Sequence, residues 1–140
     1  MSRIIYRHSV IALAIGALSL ATLPAAQADA VADALANYKT QGAGTFDAQA
    51  GARRWSENFT DAESGKPINC ASCHHQDLRK PGQHIRTLKP IEPMAPSANP
   101  QRLTDVKKIE KWFLRNCKGT WARACTPQEK GDFLVYIQSQ

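Results

Sequence analysis

The 140-residue sequence has only four cysteines, two methionines and 7% aromatic residues, and few of its residues favour β-strands. It has no internal repeat, no low-complexity tract and no second long hydrophobic run after the one at its N-terminus. These absences exclude solenoids, transporters and large multi-part assemblies. A hydrophobic fraction of 43% with 21% charged residues is typical of one soluble globular domain rather than of a disordered chain.

The one long hydrophobic run predicts export. An apolar stretch over residues 10–23 follows Arg3 and Arg7 and leads into a small-x-small tripeptide that ends at Ala28. This order is typical of a secretory signal peptide, so we predict that residues 1–28 are cleaved. A membrane anchor is the alternative, but about fourteen apolar residues are fewer than the roughly twenty that span a bilayer.

The remaining domain, residues 29–140, is predicted to be periplasmic. Removing the two arginines of the leader leaves 16 of the 18 basic residues against all 12 acidic ones, a net charge of about +4. Free thiols are rare in an oxidising compartment. The exported part nevertheless holds all the cysteines, namely Cys70, Cys73, Cys117 and Cys125.

Cys70-Ala71-Ser72-Cys73-His74 matches the C-x-x-C-H signature of covalent haem c attachment. Cysteines three positions apart can reach the two vinyl groups of one porphyrin and form thioethers. The histidine that follows is then placed as the proximal iron ligand. We therefore predict one covalently bound haem c held by Cys70, Cys73 and His74.

Two other chemistries use similar cysteine pairs. A thioredoxin-like redox pair would lie among β-branched strands, which this sequence lacks. A structural zinc site would need a second C-x-x-C or an H-x-x-x-H element to complete it, and the sequence contains neither. The haem motif is thus the interpretation that the surrounding sequence favours.

The rest of the pattern is helical. Apolar residues recur at helical spacing over residues 29–39 and 47–59, and Thr104-Asp105 begins a third helix from Val106 to about Cys117. Thr126-Pro127-Gln128-Glu129 is a capping box that starts a fourth. Residues 77–101 carry five prolines and are expected to form an irregular loop around a ligand. The prediction is an all-α fold of four or five short helices around one haem.

The distal iron ligand decides what such a haem protein does. Met94 lies in the proline-rich loop and would give a low-spin electron carrier, although packing over the haem edge is the other role for it. His75 adjoins the proximal ligand on the same side, and His84 could reach the iron only if the loop folds back.

Asn116 is a further candidate for this position. At 100° per residue it shares a stripe of the third helix with Ile109, Trp112 and Phe113. A buried amide costs roughly 1–3 kcal/mol unless it is hydrogen-bonded. Since asparagine also ends helices as a C-cap, the pattern alone leaves both roles open.

Cys117 and Cys125 remain after haem attachment, and we expect them to form a disulfide, with free thiols as the alternative. A bridge closing so short a loop contributes on the order of 2.5 kcal/mol in the chain-entropy model. It would also hold the end of the third helix, and with it Asn116, in place.

Several segments together resemble the SHP family of cytochromes c, secreted monohaem proteins with a class I-like fold. The resemblance runs from the haem motif to the C-terminus. It is carried by Asn99-Pro100, Arg102-Leu103-Thr104-Asp105, Glu110-Lys111-Trp112, Arg115-Asn116-Cys117, Cys125-Thr126-Pro127 and Glu129-Lys130.

The resemblance implies that Asn116 is a weak, displaceable iron ligand and that Cys117 pairs with Cys125. It implies a high-spin iron that binds oxygen or nitric oxide when reduced. It also implies electron donors, a dihaem cytochrome c and a membrane cytochrome b. A conventional low-spin cytochrome ligated by Met94 is the alternative.

The third helix also carries a basic surface that could receive an acidic redox partner. Asp105 and Glu110 are the only acidic residues in this region, so its charge is positive. A positive electrostatic field raises the rate at which an acidic partner associates. A solvated face is the alternative, and nucleic acid is not expected as a partner of an exported haem protein. Its members are Arg102, Lys107, Lys108, Lys111, Arg115, Lys118 and Arg123. Because no acid–base pair is recognisable near the motif, a terminal reductase of oxygen or nitrogen compounds stays a further hypothesis.

Overall fold

The computed structural model describes residues 25–140, and the side chains of residues 29–140. Its main elements are five helices, and the all-α prediction is confirmed. The helices are α1 (Ala25–Thr40), α2 (Ala48–Trp55), α3 (Ala71–His74), α4 (Val106–Trp121) and α5 (Pro127–Gln138). None of these described helices is long and apolar enough to cross a bilayer.

The first two helices differ from their predicted bounds. α1 begins at Ala25 rather than at residue 29, so cleavage after Ala28 would fall inside it; the rest of the predicted signal peptide lies outside the described residues. α2 begins after Asp47, whose side chain accepts a hydrogen bond from the Gln49 amide at 2.8 Å. It ends at Trp55 because the chain then becomes extended and forms a strand.

The third predicted helix, α4, starts where the sequence places it and ends later. The Asp105 side chain caps it by accepting a hydrogen bond from the Lys108 amide at 3.1 Å. The helix continues past Cys117 to Trp121, and Ala122 ends it in the left-handed conformation, with φ 54°. The alternative prediction that Asn116 is a helix C-cap is therefore wrong, because this residue lies inside α4.

The capping box of α5 is confirmed. The Thr126 side chain accepts a hydrogen bond from the Glu129 amide at 3.2 Å, and the Glu129 carboxylate accepts one from the Thr126 amide at 2.8 Å. Pro127 occupies the first turn, where its missing N–H has no helical partner to lose.

Helix α5 packs against both α1 and α2 and separates two apolar clusters. Phe133 belongs to a cluster with Trp55, Leu78 and Trp121, whereas the adjacent Leu134 joins the second. The second cluster is formed by Ala30, Val31, Ala34, Tyr38 and Ile109 together with Leu134. We call α1, α2, α4 and α5 the helical frame.

Buried polar contacts connect the members of the frame. Asp132 on α5 accepts hydrogen bonds from Arg54 Nη1 at 2.6 Å and from the Asp47 amide at 2.9 Å, which attaches the start and the end of α2. Glu110 on α4 accepts from the Tyr38 hydroxyl and, at 2.6 Å, from Lys130 Nζ. Three helices thus meet at one carboxylate.

Regular β structure in the described part is limited to two antiparallel pairs of two-residue strands. β1 (Phe59–Thr60) pairs with β2 (Pro67–Ile68) just before the haem motif. β3 (Gly82–Gln83) pairs with β4 (Pro90–Ile91) inside the 77–101 loop. The loop predicted to be irregular therefore contains a short hairpin.

Candidate haem site

The haem motif occupies the single turn of α3. Two reciprocal hydrogen bonds between Asn69 and Ser72 stabilise the start of this turn. The Ser72 amide donates to Asn69 Oδ1 at 2.9 Å, and the Asn69 amide donates to Ser72 Oγ at 3.1 Å. The Cys70 carbonyl then accepts hydrogen bonds from the amides of Cys73 and His74. Both thiols and the imidazole are consequently held on one turn, as the C-x-x-C-H spacing requires.

Burial favours the uncharged forms of Cys70 and His74. Burial raises the pKa of the Cys70 thiol to about 12, and neither Cys70 nor Cys73 forms a disulfide. Burial is the main cause that lowers the pKa of His74 to about 4, and electrostatic interactions with Arg102 and His84 lower it further. A neutral imidazole is the form that ligates iron.

The residues present fit haem c better than zinc. His74 Nδ1 is buried and has no hydrogen-bond partner among the described residues, so the ring is not committed to another structural role. No group of three or more histidine, cysteine, aspartate or glutamate residues in the part covered by the structure is arranged to hold a metal ion. Two thiols and one neutral imidazole on a turn suit thioether attachment and proximal ligation.

The Trp55 side chain packs beside the haem motif. Its ring centroid lies 5.7 Å from that of His74, and its Nε1 donates to the His75 carbonyl at 3.1 Å. Trp55 also packs edge-on against Phe133 of α5, with a centroid distance of 6.1 Å. His75 has a positive φ of 70° and an exposed side chain, so the chain turns away from the motif directly after His74.

Gly82 lets β3 lie directly on the motif. A Cβ atom at this position would stand 2.0 Å from the Cys73 carbonyl oxygen and 2.9 Å from His74 Cα. Both neighbours are backbone atoms and cannot move aside. The Pro81-Gly82 dipeptide signals a turn in the sequence, but its contact with the haem motif comes only from the fold.

Met94 is fixed through its main chain. The amides of Met94 and Ala95 both donate to the Leu78 carbonyl at 2.9 Å. Arg102 holds the preceding residues, because its Nε donates to the Pro93 carbonyl at 2.8 Å and its Nη2 to the Glu92 carbonyl at 2.6 Å. The Met94 side chain is half-buried and packs on the cluster that Cys70 also contacts.

Arg102 does not lie on the basic surface predicted for the third helix. Its guanidinium is half-buried and donates to backbone carbonyls of the 77–101 loop. His84, which could reach the iron only if the loop folded back, is half-buried at the hairpin turn. Its Nδ1 accepts hydrogen bonds from the amides of Arg86 and Thr87.

Asn116 lies on the exposed side of α4, next to a buried disulfide. Cys117 and Cys125 are bonded, with Cα atoms 5.6 Å apart, and both are buried. The predicted apolar stripe is only partly correct. Ile109 is buried and Phe113 half-buried, but Asn116 is exposed and Trp112 is 48% exposed. The helix is rotated so that Cys117, rather than Asn116, continues the buried face.

Comparison with known proteins identifies relatives of this chain. A family model described as "Domain of unknown function (DUF1924)" matches residues 41–137. The cytochrome c-type protein SHP of Cereibacter sphaeroides is 38% identical over 109 residues, which cover 78% of this chain and 83% of that protein. A solved structure of oxidized SHP, described as an oxygen-binding cytochrome c, matches with a TM-score of 0.71 at 38% identity, covering 79% of this chain and 96% of the other.

A second relative is cytochrome c'' of Methylophilus methylotrophus, 39% identical over 77 residues, or 55% of this chain and 54% of that protein. Its oxidized crystal structure matches with a TM-score of 0.68 at 28% identity, covering 82% of this chain and 94% of the other. The fold and the site thus define a haem-binding cytochrome of the c type. The chain belongs to the DUF1924 family and to the SHP family of cytochromes c, which confirms the resemblance seen in its motifs.

Proposed function

We propose that this chain is a periplasmic, high-spin monohaem cytochrome c that accepts electrons from a redox partner and binds small diatomic ligands such as oxygen or nitric oxide. The observation that carries the proposal is the likeness to SHP over 79% of the chain, together with an asparagine directly before the disulfide of α4. SHP itself is described as an oxygen-binding cytochrome c.

The haem would supply the redox chemistry and an iron with one readily opened position. Cys70 and Cys73 would carry it through thioethers, and His74 would hold the iron from the proximal side. One C-x-x-C-H motif in the sequence supports one covalent haem. The buried Trp55 and the backbone of Gly82 would keep the His74 ring in a fixed orientation.

Asn116 is suited to be a weak distal ligand. Its side chain is exposed, so it is accessible to a ligand on the surface of α4. The neighbouring disulfide fixes this part of α4 against Cys125. A carboxamide oxygen is a weaker iron ligand than a thioether or an imidazole, and a small molecule can therefore displace it.

Met94 is less suited to the same role. Its amide is bonded to the Leu78 carbonyl, and Leu78 follows the proximal His74 by only four residues. This hydrogen bond holds the Met94 main chain beside the segment that directly follows His74, which argues against Met94 as a second ligand of the same iron. Packing against the apolar cluster is the role that its surroundings favour.

Export to the periplasm is supported by the N-terminal sequence and by the disulfide. A bond between Cys117 and Cys125 persists in oxidising compartments and is rare in the cytosol. For partners we propose a dihaem cytochrome c and a membrane cytochrome b as electron donors. The lysines of α4, all exposed, would attract an acidic donor from a distance.

Spectra of the purified protein and two variants test this function. A pyridine haemochrome assay should report one haem c per chain. The ferric spectrum should be high-spin without a methionine-to-iron charge-transfer band, and the ferrous form should bind carbon monoxide rapidly. Asn116→Ala should stay high-spin and bind carbon monoxide more tightly, because the amide no longer competes.

Met94→Leu is the matched control, because it keeps the volume of the side chain and removes the sulfur. It should leave both the spectrum and carbon monoxide binding unchanged. A low-spin ferric spectrum that disappears in Met94→Leu but survives in Asn116→Ala would overturn the proposal in favour of the conventional electron carrier.

A further inference from the structure

The outer face of α4 carries a continuous stripe of positive charge. Lys108, Lys111, Arg115 and Lys118 follow one another at intervals of three, four and three residues, and Lys107 adjoins them. This spacing places them on one side of the helix, over a length of about 15 Å. All five residues are exposed, and we call them the outer stripe.

No carboxylate offsets this charge. In the part of the chain that the structure describes, no member of the outer stripe forms an ion pair. Glu110 is the only acidic residue of α4, and it accepts hydrogen bonds from Tyr38 and Lys130 instead. By contrast, five arginines outside α4 each pair with a carboxylate, namely Arg53, Arg54, Arg79, Arg86 and Arg123.

The stripe weakens the helix that carries it. Like charges three or four positions apart repel each other and destabilise an α-helix. Lys108, Lys111, Arg115 and Lys118 form three successive pairs of this kind along α4. A pattern that reduces the stability of the fold is explained by a contact with another molecule that bears negative charge.

Trp112 lies at one edge of the outer stripe and is 48% exposed. Its ring centroid is 5.2 Å from the guanidinium carbon of Arg115 and 6.0 Å from Lys111 Nζ. The other two tryptophans, Trp55 and Trp121, are buried. An exposed indole among lysine and arginine side chains is typical of protein surfaces that bind a bilayer, because indole favours the head-group region and the cations bind lipid phosphates.

An anionic lipid surface fits this face of α4 better than an acidic protein does. Four of the five members of the stripe are lysines, and lysine is depleted in protein–protein interfaces. At 100° per residue, Trp112 lies at one edge of the stripe and the exposed Leu114 at the other, so no apolar patch lies at its centre. A lipid surface needs no such patch, since mobile head groups can meet flexible lysines.

We propose that the outer stripe and Trp112 bind the surface of a membrane that is rich in anionic phospholipids. The five basic side chains would contact lipid phosphates, and the indole of Trp112 would enter the head-group region. The opposite face of α4, with Ile109 and Cys117, stays buried in the helical frame, so the protein would lie on the bilayer. The inference goes beyond the proposed function, because it concerns where the exported protein resides rather than what its iron binds.

Sedimentation of the exported, haem-loaded protein with lipid vesicles tests this binding, since haem absorbance measures the protein in the pellet and in the supernatant. One set of vesicles contains equal parts of phosphatidylglycerol and phosphatidylcholine, and the other contains phosphatidylcholine alone. The wild-type protein should sediment with the anionic vesicles at low salt and stay in the supernatant with the neutral ones. High salt should release most of it.

Variants assign the binding to α4. Lys108→Gln with Lys111→Gln should weaken binding to the anionic vesicles about thirtyfold, or about fivefold for each charge removed. Glutamine favours a helix nearly as well as lysine does, so α4 stays intact. Trp112→Ala should weaken binding about tenfold, because the indole no longer enters the head-group region.

Lys66→Gln with Lys89→Gln is the matched control. It removes two exposed lysines outside α4 and leaves the same net charge as the α4 double variant. It should bind the anionic vesicles as tightly as the wild-type protein does.

The proposal would be overturned if both double variants lost binding equally, because binding would then follow net charge alone. It would also be overturned if the wild-type protein bound neither kind of vesicle, or both kinds equally. Slower reduction of the α4 double variant by a dihaem cytochrome c would in that case assign the stripe to an acidic protein. Failure of the proposed function gives a different result, a low-spin spectrum that depends on Met94, and it leaves vesicle binding measurable.

Discussion

The helical frame and the 77–101 loop are stabilised by different kinds of contact. In the frame, apolar faces bury against each other and side chains such as Asp132 connect whole helices. In the loop, Leu78 and Ala95 join the apolar core, and the residues between them depend on single backbone groups. The Leu78 carbonyl accepts hydrogen bonds from two amides, and Arg102 donates to two backbone carbonyls. A packed frame tolerates the loss of one contact better than a loop that depends on a few.

The two regions also differ in how much of their apolar surface is accessible to solvent. The frame encloses two apolar clusters, although Trp112 and Leu114 of α4 stay exposed. The loop covers the haem motif through Gly82 and leaves Ile85 and Leu88 in solvent. A redox protein needs both properties, because its iron ligands must be fixed while one edge of its cofactor stays reachable. The following changes test whether the two regions respond as differently as their contacts suggest.

The largest effect is expected where the loop touches the motif. Gly82→Ala places a Cβ atom 2.0 Å from the Cys73 carbonyl oxygen, so the hairpin must move off α3. We expect a loss of about 3 kcal/mol in the free energy of unfolding, the upper end of the cost of overpacking. Urea denaturation followed by circular dichroism measures this loss.

Gly119→Ala is the control for that experiment. No atom lies within 4 Å of the position where its Cβ would be, inside α4. It should raise the free energy of unfolding by about 0.5–1 kcal/mol, because alanine favours the helix. Equal stability of the two variants would show that the close approach of the hairpin to α3 is not maintained in solution.

A smaller loss is expected from the buried carboxylate of the frame. Asp132→Ala removes the acceptor of Arg54, Gln128 and the Asp47 amide. The cost should be about 2 kcal/mol, because buried donors lose their partner but Arg54 can still turn towards water. Thermal unfolding should remain a single transition, since the apolar clusters stay in place.

The control for Asp132 is an exposed ion pair of α2, the helix that Asp132 contacts through Arg54. Arg53 lies 3.7 Å from Asp47, and both side chains are more than half exposed. Arg53→Ala should change stability by under about 0.5 kcal/mol. If Arg53→Ala lowered the free energy of unfolding as much as Asp132→Ala, burial would not explain the contribution of the Asp132 contacts to stability.

The smallest effect is expected at the start of α5 and depends on pH. The hydrogen bonds from the Arg123 guanidinium, and then that from the Thr126 amide, lower the pKa of Glu129 below its usual value of 4.5. A carboxylate with a lowered pKa contributes stability above its unfolded pKa, and this contribution is lost as the pH falls through the folded pKa.

Glu129→Gln should therefore cost about 1 kcal/mol at pH 7 and much less at a pH below the lowered pKa of the folded protein, where the wild-type carboxyl is itself protonated. Unfolding curves of both proteins across this pH range provide the measurement. A cost that stays constant with pH would mean that the charge of Glu129 contributes nothing to the start of α5.

The sequence by itself determined the haem motif, the caps of α4 and α5 and the cysteine pair, because each depends on residues close together in the chain. Asp105, Thr126 and Glu129 act within one helical turn. The family resemblance likewise came from short segments read in order. The end of α4 was predicted too early because burial of Trp121, at 8% exposure, keeps the helix intact beyond Gly119.

Only the tertiary structure decided which residues surround the motif. The hydrogen bond from the Met94 amide to the Leu78 carbonyl joins residues sixteen positions apart, and no sequence pattern predicts it. The hydrogen bond from Arg102 to the Pro93 carbonyl is likewise not predictable from neighbouring residues. The rotation of α4 exposed Asn116 and buried Cys117, since only contacts with other helices settle which side of a helix faces inward. Every residue has a backbone carbonyl, so residue periodicity does not indicate which of them accepts a distant hydrogen bond. The structure of the loop could therefore be learned only from the tertiary structure.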